Sequence, residues 1–221
     1  MTSSDPSIGG TLSPGIDNVL QQREALITGK PPRITALTTD EAIEMARQQT
    51  AKLRMAVMGD ATPVEVAEIP EMLLALMCHP DLYERMSALS VQLMAKNTLS
   101  PRDRELAVLR TGWLCQAPYE WGEHVRIAKL VGISSEQIEQ VTVGSSADGW
   151  NEHERALLRA VEELHEGAMI CDATWDTLAR TLDNAQLYEL MIVVGQFTMV
   201  AYFQNACRFR LSAGNEGLRA R

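Results

Sequence analysis

The 221-residue chain has no run of basic residues; 20 Lys and Arg stand against 29 Asp and Glu, a formal net charge of -9. A protein that grips a nucleic-acid backbone or an anionic membrane needs a clustered basic face, so no nucleic acid and no membrane partner is expected. The arginines between Arg208 and Arg221 are too dilute to supply such a face. No uninterrupted apolar stretch reaches the roughly 20 residues of a bilayer span. The longest, Leu187 to Phe203, is broken by Glu189 and Gln196 and reads as a buried helix. The opening MTSSDPSIGGTLSPG has neither a basic start nor an apolar run. It therefore resembles neither a signal peptide nor a transit sequence, and the expected compartment is cytoplasmic. The four cysteines, Cys78, Cys115, Cys171 and Cys207, form no CxxC pair and no zinc spacing with histidine. Reduced thiols and no metal centre are predicted.

Alternating strand patterns are also missing, and helical periods take their place, so the fold class is all-α. Residues 1 to about 38 are rich in Pro, Gly, Ser and Thr and read as an arm, mobile or laid over a neighbouring subunit. Residues 39–221 form one helical domain. Asp40 opens a helix toward Met58, a break at Gly59 to Pro63 follows, and a further helical region includes Ile69 to Cys78. Asp81 to Lys96 repeats Leu82, Met86, Leu89, Leu93 and Met94 at helical spacing. Ser100 before Pro101 is a strong helix start, because Ser caps free amides and Pro lacks the N–H that would go unsatisfied. Capping boxes at Ser134 and Gln137 and at Asp183 and Gln186 start two more helices, the second reaching about Arg210. Asn151 and Asp172 begin the helices between them, and 11 Met with 5% aromatics suit helix packing.

Two of these helices carry ionisable groups inward. At about 100° per residue Glu105 falls among Val108, Leu109, Gly112 and Trp113, with Asp103, Arg104 and Arg110 projected to the opposite side. On the following helix His124 sits among Trp121, Ile127, Ala128 and Val131, with Glu120 one turn earlier and Arg126 and Lys129 pointing away. A carboxylate and an imidazole in apolar surroundings tune each other's pKa and suit proton transfer near neutral pH. Taken singly, Glu105 also reads as an acid bonding a helix end and His124 as a satisfied core histidine. Taken together with Glu120, three buried ionisable groups would each need compensation.

The segments RELAVLRTGWLC, YEWGEHVRIAKLVG and QLYELMIVVGQF resemble the carboxymuconolactone decarboxylase-like proteins, a superfamily that also holds the alkylhydroperoxidase D-like enzymes. The resemblance covers about residues 70–211, and its specific part is Glu105 followed nineteen positions later by His124. It implies an alkylhydroperoxidase D-like helical bundle, here with an N-terminal extension. In the peroxidase branch a CxxC pair precedes the histidine by seven and four positions, where this chain has Ala117 and Glu120. The decarboxylase branch needs no cysteine pair, and the resemblance therefore implies a cofactor-independent lyase acting on a small carboxylated lactone or aromatic-degradation intermediate. On that reading Glu105, His124 and Glu120 are catalytic, and Cys115, Tyr119, Trp121 and Arg102 line the substrate site. The implied assembly is a homo-oligomer, trimer or hexamer. A thiol-dependent peroxidase using Cys115, or a non-enzymatic helical oligomer that binds a ligand, is the competing expectation.

Overall fold

The computed structural model describes residues 14–221. Ten α-helices follow in order: α1 (Pro14–Ile27), α2 (Asp40–Met58), α3 (Glu71–Leu76), α4 (Pro80–Ala95), α5 (Pro101–Leu114), α6 (Pro118–Leu130), α7 (Ser135–Val143), α8 (Glu152–Gly167), α9 (Asp172–Leu178) and α10 (Asn184–Cys207). Two 3-10 turns, Val66–Glu68 and Gly217–Arg219, complete the set, and no strand occurs among the described residues. The expected starts coincide with observed caps: Ser100 accepts from the Asp103 amide, and Ser134, Asn151 and Asp183 each close a capping box. Each satisfies amides that the first helical turn leaves unpaired. The last helix ends at Cys207 rather than near Arg210, because Arg208 adopts the left-handed conformation (φ 59°) that terminates it.

The hub is α5, which packs on α6, α7, α8 and α10. It is covered on every side, so that each residue from Arg104 to Gly112 is buried. The projection of Arg104 and Arg110 toward solvent is therefore corrected; they are 5% and 7% exposed. A helix surrounded by four others has no solvent face, and its charges are neutralised within the core instead. Arg104 pairs with Glu105 at 2.8 Å, and Arg110 pairs with Glu162 at 2.9 Å while donating to the carbonyls of Val141 and Thr142. Leu106, Val108 and Leu109 are wholly buried around them, each worth about 1.5–3 kcal/mol of apolar burial.

Helices α2 and α3 build a second, smaller apolar cluster from Ala42, Ala46, Val64, Ile69, Leu73 and Met77. It is joined to the bundle through α4, which packs on both α2 and α10. Within the expected N-terminal arm, residues 14–27 form α1, whose window from Ile16 to Thr28 holds neither Pro nor Gly. Leu20 is 4% exposed in the main core, and Glu24 accepts the Leu218 amide at 2.8 Å. The part of that expectation on residues 1–13 lies outside the described residues. By length and mean hydropathy (1.3) α10 passes the test for a membrane span, yet Leu187, Leu190, Val193, Val194, Phe197 and Ala201 are buried inside the protein.

Candidate functional site

Helices α5, α6 and α10 bring a line of charged and polar side chains together. Arg104 Nε donates to Glu105 Oε1 at 2.8 Å, and Glu105 Oε2 lies 2.7 Å from His124 Nδ1. His124 Nε2 lies 3.2 Å from Glu120 Oε1, its i−4 neighbour on α6. Gln204 Nε2 on α10 donates to Glu120 Oε2 at 2.8 Å. Glu105 is fully buried and the other four are 2% to 6% exposed. A buried charge demands a partner, and here the signs alternate: two cations, two carboxylates and a terminal amide. The line carries no net charge, which is why the core tolerates it.

This arrangement sets the protonation of its members. Burial alone would push the His124 imidazole down, but Glu105 and then Glu120 outweigh it and hold it well above the ordinary range. His124 is thus an imidazolium whose two N–H groups each point at a carboxylate. Burial would raise the Glu105 carboxyl, yet the charge and hydrogen bond of His124, with Arg104 behind it, keep it below its usual value. The edge of Phe197 packs against the imidazole at a centroid distance of 4.9 Å and 81° between planes, excluding water from one side.

The line ends at a cavity of about 390 Å³. Its inner wall is α6 and α10, with Tyr119, Glu120, His124, Phe197 and Gln204; its outer wall is α2, α3 and α4. The pocket therefore lies between the two apolar clusters, and the N-terminal helices close it. Burial holds the Tyr119 phenol protonated above its normal range, with Glu123 acting in the same direction. Among the described residues no three His, Cys, Asp or Glu side chains converge as a metal-binding set.

Of the seven residues expected from sequence, Glu105, His124 and Glu120 form the line, and Tyr119 joins them at the cavity. The other three lie elsewhere. Arg102 pairs with Glu154 at 2.8 Å and reaches Gln137. Trp121 is fully buried, stacked beside Trp113 at 4.9 Å and donating Nε1 to the Ala220 carbonyl at 3.0 Å. Cys115 caps α5 outside the cavity lining, its thiol raised by burial despite a hydrogen bond from Thr198.

Two members of the line escape the sequence reading. Arg104 was hidden by the assumption that α5 has a solvent side. Gln204 left a signal, since a glutamine inside an apolar helix needs a buried partner. Its neighbours on α10 behave alike: Glu189 accepts from the Thr98 and Leu99 amides, and Gln196 donates to Ser90.

Residues 80–163 match the model of the carboxymuconolactone decarboxylase family, a segment holding α4 to α7 and most of α8. A search of curated proteins finds no match. Solved structures share the fold. An uncharacterized peroxidase-related protein from Silicibacter sp. TM1040 superposes with a TM-score of 0.67 at 17% identity over 86% of this chain and 98% of its own. The alkylhydroperoxidase AhpD core of an uncharacterized peroxidase-related protein from Ralstonia eutropha JMP134 gives 0.64 at 19%, over 81% and 93%. The debrominase Bmp8, in complex with 2,3,4-tribromopyrrole, gives 0.66 at 16%, over 82% and 92%. The chain thus matches the carboxymuconolactone decarboxylase family model over residues 80–163 and shares its all-helical fold with these solved structures.

Proposed function

We propose that this protein is a cofactor-independent lyase of the decarboxylase type, acting by proton transfer on a small carboxylated lactone or a related product of aromatic-ring degradation. The observation that carries the reading is the Glu105, His124, Glu120 line ending at a largely apolar cavity. Loss of carbon dioxide from an unsaturated carboxylated ring leaves a dienolate, which must be stabilised and then protonated on carbon. Glu120 is placed to deliver that proton, because it lines the cavity and holds the Nε2–H of His124 on its far side. The proton passes from Nε2 through Glu120 to carbon, leaving neutral His124 with Nδ1–H on Glu105. Uptake of one proton from solvent restores the imidazolium and balances the release of carbon dioxide. Glu105 and Arg104 keep the ring oriented, and Gln204 fixes the second oxygen of Glu120.

A thiol peroxidase reading asks for an attacking and a resolving sulfur beside the histidine. Ala117 and Glu120 occupy those positions, and burial holds the nearby Cys115 thiol protonated. Assembly into a homo-oligomer is part of the proposal, supported by the exposed apolar residues Tyr188, Met199 and Tyr202 along α10. The deciding experiment incubates the protein in D2O with carboxylated unsaturated γ-lactones. One deuterium on a carbon of the dienolate system in the product, its incorporation slowed in Glu120→Gln and His124→Gln by about 100-fold or more, is the expected outcome. Turnover unchanged in both variants removes the assignment.

A further inference from the structure

We infer that Arg54, on α2, is the anchor for an anionic group of the substrate, and that the N-terminal helices thereby set which acids the cavity accepts. This rests on the lyase reading for the chemistry, while the binding claim stands on the cavity itself. A carboxylated substrate entering an apolar pocket loses its hydration, and only a cation on the wall compensates. Glu120 and Glu123 on the inner wall repel it, and His124 has both N–H groups committed to carboxylates. Two guanidinium groups remain on the lining, Arg54 and Arg126.

They are unequal. Arg126 is half in solvent, 52% exposed over its side chain, and its contact is Glu123 at 3.5 Å. That glutamate is itself tied to Asn215 Nδ2 at 3.0 Å and to Ser212, so the pair sits at the rim under aqueous screening. The Arg54 side chain is only 18% exposed, and its one ion pair among the described residues is a single 3.3 Å contact to the half-exposed Glu68. A guanidinium offers five N–H donors in a planar fork matched to a carboxylate. Most of that capacity is open in Arg54, on the wall facing α6 and α10. The residue lies outside the matched segment 80–163, as do the other α2 and α3 residues of that wall. The proton-transfer residues and the acid-selecting residue thus come from different parts of the chain, and one can vary without the other.

The test measures binding of benzoate and of its uncharged isostere benzamide by calorimetry to the full-length wild type and to Arg54→Gln, Arg126→Gln, Glu68→Gln and Glu120→Gln. Wild type binds benzoate more tightly than benzamide. In Arg54→Gln benzoate weakens about tenfold and the preference disappears with benzamide unchanged, the scale of one charge-assisted contact. Arg126→Gln has a smaller effect, erased by salt. Glu68→Gln strengthens benzoate binding severalfold, because it releases the guanidinium from its competitor. A purely structural Arg54–Glu68 pair predicts the reverse, with both variants acting alike. Benzoate preference that survives Arg54→Gln, is absent from wild type, or falls in Glu68→Gln overturns the inference. With Arg54 as the anchor, Glu120→Gln retains the benzoate preference; turnover unchanged in Glu120→Gln then removes the lyase reading alone, whereas loss of the Arg54 dependence removes this inference alone.

Discussion

Replacing Glu105 with Gln removes one carboxylate from the buried line and leaves Arg104, His124 and Glu120 with an uncompensated positive charge. Glu105 is wholly buried and bonds both cations, at 2.8 Å and 2.7 Å, so no solvent shares the loss. Breaking a buried pair on one side costs about 3–5 kcal/mol. For a domain of this length each kcal/mol lowers Tm by about 2–4 °C, which gives a fall of roughly 6–20 °C. The pH dependence carries a second signature. The His124 pKa is raised from 6.5 to about 10, so its stabilisation is complete below pH 6.5 and drains away as the pH climbs toward 10. A shift of that size is worth on the order of 5 kcal/mol. The Glu105 pKa is lowered from 4.5, so its share is present above that pH and is lost as acid carries the pH down through the folded value. The wild type should therefore be most stable between these limits and decline on both sides. In Glu105→Gln the acid limb loses the Glu105 share, and the alkaline limb shortens because the main attraction on the imidazole is gone. Thermal unfolding followed by circular dichroism across the pH range reads both, and nitrogen NMR of His124 reads its protonation directly. Equal Tm within about 2 °C near neutral pH, parallel pH curves, or a neutral imidazole in the wild type would refute a charged line.

Gly122→Ala should displace the C-terminal segment, because a Cβ there would stand 1.8 Å from Asn215 Oδ1; a loss of about 1–3 kcal/mol in urea unfolding, with faster proteolysis after residue 211, is the expected result. Trp121→Phe keeps the stack on Trp113 but removes one of the two donors to the Ala220 carbonyl, leaving Arg221 Nη1 at 2.8 Å, and about 0.5–1.5 kcal/mol of stability goes with it, read in the same assay. On the proposed lyase reading Cys115→Ser should leave turnover within about twofold of wild type, whereas a loss of about 100-fold would revive the thiol reading. Gln204→Leu should lower the chemical rate of the proposed reaction more than substrate affinity, because it frees the Glu120 oxygen that Gln204 holds; a change confined to KM would contradict that role.

The sequence by itself determined the helices and their starts, since caps such as Ser100, Ser134 and Asp183 act within one turn and need no distant partner. It also determined that Glu105, His124 and Glu120 would share inner faces, because helical periodicity relates residues within one element. What surrounds an element is not encoded in its own period. Only the packing of four helices around α5 turned Arg104 and Arg110 into buried partners, and only the docking of α10 set Gln204 against Glu120. Arg102 and Trp121, which the family resemblance assigns to the substrate site, are held instead by Glu154 and by the Ala220 carbonyl, partners some 50 and 100 residues away. The cavity belongs to neither cluster alone. It exists because α2, α3 and α4 close over α6 and α10, a contact between segments far apart in the chain whose geometry follows from side-chain shapes meeting in three dimensions.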